Sequence, residues 1–97
     1  MVLSKSTVVK GLEKKGFELD KNSHHRWFRY FTPDGRKSLA KTKVSQGRGS
    51  EDLDTTRLKL MGTQCGLDTS RQFADLVKCP LSRDEFEQII VSKGLIP

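Results

Sequence analysis

No stretch of this sequence is apolar for long enough to cross a membrane, which takes roughly 20 residues. The opening residues, MVLSKSTVVKGLEKKG, lack the apolar core of a secretory signal, so we expect a cytoplasmic protein. Cys65 and Cys79 fit no metal-binding spacing. We expect two reduced thiols, with an internal disulfide as the alternative, and a function that uses neither a metal nor a cofactor.

The positive charge is concentrated in the first half of the chain. Residues 1–49 contain twelve Lys or Arg and four Asp or Glu, a net +8, whereas residues 50–97 carry a net −2. Between Gly35 and Ser50 there is no acidic residue and there are five cations. Such a basic half is typical of phosphate binding, either to a nucleic acid or to an anionic surface. A lysine-rich face that only keeps the protein in solution is the alternative.

The 97 residues suffice for one domain, and their pattern predicts an α+β fold. Residues 4–15 have helical spacing, with Ser4 or Ser6 as the N-cap and Gly16 after the end. Three strands joined by tight turns are expected next, at Phe17–Asp20, His25–Thr32 and Lys37–Val44. They predict a three-stranded antiparallel meander.

The second half reads as helical. We expect a helix that Ser50 caps, with Glu51 and Asp52 in its first turn, and that continues to Gly66. A short helix is expected within DTSRQFADLVKC, before Pro80. Ser82 and Glu85 form a capping-box pattern for a last helix that ends near Gly94.

Both histidines, His24 and His25, precede an aromatic strand that is laced with arginine. Alternation places two sets on opposite faces of this strand: His24, Arg26, Phe28 and Tyr30 on one, and His25, Trp27, Arg29 and Phe31 on the other. Aromatic rings beside cations can stack unpaired bases and pair with phosphates. For Phe28 and Phe31 a place in the core is favoured, whereas Trp27 and Tyr30 are evenly balanced between core and surface.

A histidine near cations also suits RNA cleavage. The 2′-hydroxyl of RNA is the nucleophile, a base removes its proton, and positive charge stabilises the developing dianion. Histidine suits the role of base because its unperturbed pKa is about 6.5. A surface histidine pair without chemistry is the alternative, and adjacent strand residues point apart, which disfavours a zinc site.

The motifs LEKKGFEL, NSHH and PDGR, followed by a basic strand and a helix closing at CGL, resemble the HicA toxins of HicA–HicB toxin–antitoxin pairs. The resemblance covers roughly residues 4–67, and residues 68–97 look like the C-terminal extension of a longer subgroup. It implies one domain, residues 1–97, with an α-β-β-β-α order like that of double-stranded-RNA-binding domains, plus two C-terminal helices.

The resemblance implies a metal-independent endoribonuclease that cleaves mRNA and that a HicB-like antitoxin neutralises. The family's catalytic histidine matches His24, and His25 is the second choice. The family commonly has another histidine where this chain has Gln46, which cannot titrate, so a protein that only binds RNA is an alternative. A basic protein that docks on an acidic partner is another. We expect RNA contacts from these residues of the basic half: Arg26, Trp27, Arg29, Tyr30, Arg36, Lys37, Lys41, Lys43 and Arg48.

Overall fold

The computed structural model describes residues 2–20, 26–44, 51–78 and 80–96. Within these ranges the fold is mixed α+β, with a three-stranded antiparallel sheet, a two-stranded sheet and four helices. The elements in chain order are β1 (Leu3–Ser4), α1 (Lys5–Lys14), β2 (Phe17–Leu19), β3 (Trp27–Phe31), β4 (Lys37–Lys43), β5 (Asp52–Leu53), α2 (Thr55–Gln64), α3 (Ser70–Lys78) and α4 (Arg83–Ser92).

The first helix begins and ends where the sequence predicts. The Ser4 side chain accepts a hydrogen bond from the backbone N–H of Thr7 at 3.2 Å, which is the N-cap geometry. Gly16 follows the helix with φ of 93°, a left-handed conformation that glycine adopts without strain. Val8 and Leu12 are fully buried, so the apolar stripe of α1 faces the core.

The predicted meander is confirmed. Strands lie in the order β2-β3-β4, and β3 pairs with both neighbours in antiparallel register. The turn between β3 and β4 closes through a hydrogen bond from the Gly35 N–H to the Thr32 carbonyl, with Gly35 at φ of 88°. The register of β4 shifts opposite residues 29–31, so this strand is irregular beside the middle of β3.

The predicted start of the second helix is wrong. The helix begins at Thr55, and its N-cap is Asp54, whose carboxylate accepts from the Arg57 N–H at 2.9 Å. Asp52 and Leu53 form β5, which pairs with β1. This pairing buries Leu53 opposite Leu3, a gain in apolar burial that one more helical turn would lose. Ser50, the predicted cap, lies outside the described residues.

The last two helices agree with their sequence signals. α3 ends at Lys78, two residues before Pro80. α4 starts with a complete capping box, in which Ser82 and Glu85 each bind the other's backbone N–H. Phe73, Phe86 and Ile90 of these helices are fully buried in the same cluster as the side chains of α1 and the sheet. Residues 68–96 therefore contribute to one shared core.

The sheet has one face toward the helices and one face away from them. The inner face presents Phe17, Phe28, Tyr30 and Ala40, all of which are buried. The far edge of β4 is also covered, because the Leu39 N–H donates to the Leu95 carbonyl and the Thr42 hydroxyl donates to Gln64 Oε1. Covering a strand edge in this way limits pairing with other chains.

Helices α1 and α3 cross at close range. The carbonyl and side chain of Val77 lie directly against Gly11, where there is no room for a Cβ atom. One helical turn further on, Lys15 is buried and its Nζ donates to the carbonyls of Leu76 at 2.6 Å and Leu81 at 2.7 Å. The glycine and the lysine together fix the position of α3 on α1.

We expect Gly11→Ala to destabilise the protein. The new Cβ would lie 2.7 Å from Cγ1 and 2.8 Å from Cα of Val77, so the two helices must separate. Overpacking of this kind costs about 1–3 kcal/mol. It opposes the roughly 1 kcal/mol that alanine gains over glycine inside a helix. Urea unfolding measures the net free energy, with Lys10→Ala on the exposed side of α1 as the control. A more stable Gly11→Ala protein would contradict the close crossing.

Candidate nucleic-acid interface

The side of the sheet away from the helices is basic, and we call it the outer face. Strand alternation builds it, because Ser38, Ala40 and Thr42 of β4 point into the core and the residues between them point out. Lys37, Lys41 and Lys43, three of the residues expected to contact RNA, therefore share one strand face. The outer face comprises Trp27, Arg29 and Phe31 of β3 with Lys37, Leu39, Lys41 and Lys43 of β4.

Trp27 and Lys41 are in direct contact on the outer face. The Lys41 Nζ lies over the Trp27 ring, 4.8 Å from its centroid. Trp27 pairs directly with Lys43, and Lys41 pairs with Arg29, so Trp27 and Lys41 are diagonal neighbours across the two strands. Both side chains are partly exposed. This cation–π pair places an aromatic ring and an ammonium group at one point of the surface.

Arg29 lies on the same face, but it does not offer its charge to a ligand. The residue is only 9% exposed. Its Nη1 donates to the Ser38 carbonyl at 2.6 Å, and its Nη2 lies 3.6 Å from the Asp20 carboxylate. Its Nε is buried without a hydrogen-bond partner. The predicted RNA contact of Arg29 is disfavoured, because both terminal nitrogens of its guanidinium already have partners within the protein.

Tyr30 belongs to the core, and the prediction of an RNA contact from it is wrong. The residue is fully buried between Phe17 and Phe86, with ring centroids 5.7 Å and 5.3 Å away. Its hydroxyl donates to the Glu87 carboxylate at 2.6 Å, and Arg83 lies over its ring. Burial, and then the bond to Glu87, raise the pKa of Tyr30 to about 12.

The remaining cations lie near the two ends of the sheet. Arg36 is exposed in the β3–β4 turn, where its Nε lies 3.2 Å from Asp34. The Asp34 pKa is lowered by a hydrogen bond from the Thr32 hydroxyl and, to a smaller extent, by Arg36. At the opposite end the Arg26 carbonyl accepts from the Val44 N–H at 2.9 Å.

Several predicted site residues lie outside the described residues, namely His24, His25, Gln46 and Arg48. What the structure describes is where their segments attach. Asp20 and Arg26 flank residues 21–25, and Val44 precedes residues 45–50. The Asp20 N–H donates to the Trp27 carbonyl at 2.7 Å, which places all three attachment points at the same end of the sheet. Both segments therefore attach beside Trp27.

Acidic groups are concentrated elsewhere. A shallow cleft at the start of α2 is lined by Glu51, Asp52 and Asp54, together with Leu53 and Arg57. Glu51 also binds the buried Lys5 Nζ at 2.8 Å, which lowers the Glu51 pKa. The outer face also has two carboxylates: Asp20, which lies 4.0 Å from Lys37 and 3.6 Å from Arg29, and the exposed Glu18 of β2, which is opposite Arg29 in the strand register.

The described ranges contain no cluster of three or more His, Cys, Asp or Glu side chains that could hold a metal ion. Cys65 is a buried free thiol whose pKa is raised by burial, and Cys79 lies outside those ranges. None of the helices within them is long and apolar enough to span a bilayer.

Sequence reasoning missed Leu39 of the outer face, and it favoured a core position for Phe31, which is partly buried on that face. Leu39 is 56% exposed and lies on the same side of β4 as the three lysines. The sequence KSLAKTK could have predicted this position, because Leu39 is two residues from Lys37 and two from Lys41, and alternate residues of a strand share one face.

Comparison with known proteins finds no family, no curated protein and no solved structure that matches this chain. The resemblance to HicA toxins therefore stays a prediction.

We expect Tyr30→Phe to reduce stability without affecting RNA binding, because the hydroxyl binds Glu87 in the core rather than the outer face. Losing a hydrogen bond to a charged group costs about 1.5–3 kcal/mol. The raised pKa means that the neutral phenol is favoured in the folded state. The contribution of the protonated Tyr30 hydroxyl to the free energy of unfolding is complete below pH 10 and is lost as the pH rises toward 12.

Urea unfolding of the native protein and of Tyr30→Phe, at neutral pH and again near pH 11, measures this effect. The difference between their free energies of unfolding should be smaller at the higher pH. An equal difference at the two pH values would contradict the role of the hydroxyl.

Proposed function

We propose that this protein binds RNA through the outer face and cleaves the bound strand without a metal ion, as the toxin of a type II toxin–antitoxin pair. The observation that carries the proposal is the outer face, where Lys41 and Lys43 lie beside the partly exposed ring of Trp27 and Lys37 lies further along the same strand, opposite Phe31. Lysines along a strand can follow a phosphate backbone, and an aromatic ring can stack a base. A HicB-like antitoxin is the proposed protein partner.

We propose a fold like that of double-stranded-RNA-binding domains for residues 4–67. The order α1-β2-β3-β4-α2, with helices against the inner face of the sheet, supports it. Residues 68–97 are proposed as an extension of the same domain, and the shared core supports this.

His24 is the proposed catalytic base. It would take the proton of a ribose 2′-hydroxyl, whose oxygen then attacks the adjacent phosphorus and expels the 5′-oxygen of the next nucleotide, which takes a proton from water. This reaction leaves a 2′,3′-cyclic phosphate and a free 5′-hydroxyl. Lys41, Lys43 and Arg26 are the proposed stabilisers of the extra negative charge in the transition state. The attachment of residues 21–25 between Asp20 and Arg26, at the end of the outer face, supports this assignment.

Replacing His24 by alanine is expected to abolish RNA cleavage and growth arrest, because no other proposed group takes the 2′-hydroxyl proton. His25→Ala is the matched control and should retain most of the activity. The measurement is degradation of a transcript in the presence of EDTA, together with circular dichroism to check the fold. Cleavage by His24→Ala at the native rate would remove this residue from the mechanism. RNA that is bound but left intact by the native protein would leave the non-catalytic RNA-binding alternative.

Reversing two charges of the outer face, with Lys41→Glu and Lys43→Glu together, is expected to weaken RNA binding by tenfold or more, an order-of-magnitude figure. The dependence of affinity on salt should become shallower, because fewer phosphates are contacted. The melting temperature should change little, since exposed charges usually matter within about 0.5 kcal/mol.

The matched control is Lys10→Glu with Lys59→Glu. This pair changes the net charge equally but on exposed positions of α1 and α2. Equal losses in the two double variants would show that net charge, rather than the outer face, determines the affinity.

A second candidate function is docking of the basic outer face on an acidic protein. Leu39 favours it, because a half-exposed apolar side chain among lysines is more useful to a protein partner than to a phosphate backbone. Leu39→Ala separates the candidates: it should leave RNA affinity unchanged if RNA is the ligand and weaken an acidic protein partner if that is the ligand.

A further inference from the structure

Trp27 is the only tryptophan of the chain and, with Phe31, one of two aromatic residues on the outer face. Trp27 is partly exposed and is not part of the core. Lys41 covers part of its ring, with Nζ 4.8 Å from the centroid. Phe28 and Tyr30, the other aromatic residues of this strand, are buried on the inner face. Trp27 is thus the one indole ring that a ligand on this surface can reach.

We propose that Trp27 is a stacking subsite for one unpaired base of single-stranded RNA, and that Lys41 closes this subsite in the free protein. On binding, the base replaces the Lys41 ammonium over the ring, and the released ammonium pairs with a phosphate of the same strand. This proposal rests on the proposed function only in that RNA binds the outer face. It adds which form of RNA is bound and which residue selects it.

The exchange is favourable on both sides. A cation–π contact at a partly exposed site is weak, because the ammonium gives up part of its hydration to make it. Stacking of one base on an aromatic side chain is worth about 5- to 100-fold in affinity. The ammonium that leaves the ring gains a partner of opposite charge, since every nucleotide brings a phosphate. The base therefore displaces Lys41 rather than the reverse.

The strand register places further cations where the adjacent phosphates would be. Lys43 is directly opposite Trp27, and Lys41 is diagonal to it. The two lysines are two residues apart on one strand face, which separates their Cα atoms by about 6.8 Å. Both ammonium groups lie on the β4 side of the ring, where they can pair with the phosphates next to a stacked base.

A duplex fits this surface poorly. Its bases are already paired and stacked, so only base edges and backbone are presented, and the Trp27 ring has nothing to stack on. Recognition of a duplex by shape needs contacts over about 16 base pairs. Three carboxylates lie at the start of α2, those of Glu51, Asp52 and Asp54. Their negative charge would repel a second stretch of phosphates. Single-stranded RNA is therefore the substrate class that these residues select.

The emission of Trp27 tests the proposal directly, because no other indole contributes. The probe is a 2′-O-methyl oligouridine of about 12 nucleotides, within the site size of single-strand binders, which cannot be cleaved through its 2′-oxygen. Its duplex with the complementary strand, and a version without bases at alternate positions, are the comparison probes. We expect quenching of Trp27 by the single strand, little quenching by the duplex, and weaker quenching by the probe with missing bases.

Fluorescence anisotropy of the labelled probe measures affinity in the variants. Trp27→Leu should weaken binding of the single strand by about 5- to 100-fold, and Trp27→Phe should restore much of the loss because phenylalanine still stacks. Neither change should alter duplex affinity. Leu60→Ala, at an exposed position of α2 outside the outer face, is the control and should bind as the native protein does. Lys41→Met, which removes the charge that pairs with phosphate, should weaken binding but retain the quenching.

Binding of the single strand with unchanged Trp27 emission, and with Trp27→Leu as tight as the native protein, would overturn the stacking subsite while RNA binding itself stands. Equal affinity for the single strand and the duplex would also overturn it. Failure to bind either probe would overturn the proposed function together with the subsite.

Discussion

Tyr30 joins the central strand to the last helix, and the arrangement of the sheet depends on that contact. Its hydroxyl donates to Glu87 at 2.6 Å, and its ring meets Phe17 and Phe86 in edge-on geometry. Arg83 of the same helix donates to the Phe31 carbonyl at 2.9 Å. Because residue 30 faces inward, its strand neighbours face outward, and so a contact in the core decides which side chains the outer face can present.

The two sides of the sheet have different chemistry as a result. The inner side holds the aromatic core, and the outer side combines one reachable indole with three lysines. Carboxylates are concentrated at the start of α2, whereas on the outer face Asp20 is occupied between Arg29 and Lys37. RNA binding, RNA cleavage and docking on an acidic protein all use the same surface. They differ in the group of the ligand that each function needs: a stacking base for RNA binding, a 2′-hydroxyl for RNA cleavage, and an apolar contact for docking on a protein.

Sequence reasoning succeeded where neighbouring residues decide the outcome. The capping box of Ser82 and Glu85, the glycine after α1 and the alternating lysines of β4 involve residues within a few positions of one another. It failed at the start of α2. Ser50, Glu51 and Asp52 have good local signals for a helix start, but the pairing of Leu53 with Leu3, fifty residues away, places residues 52–53 in a strand.

The sequence by itself determined the order of the four helices and of the three strands of the meander, and the basic character of one half, because turn chemistry, side-chain periodicity and charge are local properties; it did not show the pairing of β1 with β5. Only the tertiary structure decided that Tyr30 is an interior residue, that the Arg29 guanidinium is engaged within the outer face, and that Trp27 is reachable. Alternation shows which residues share a face, but it does not show which face the helices cover. That choice depends on Glu87, Phe86 and Arg83, more than fifty residues along the chain, which meet Tyr30 only when α4 packs on the sheet.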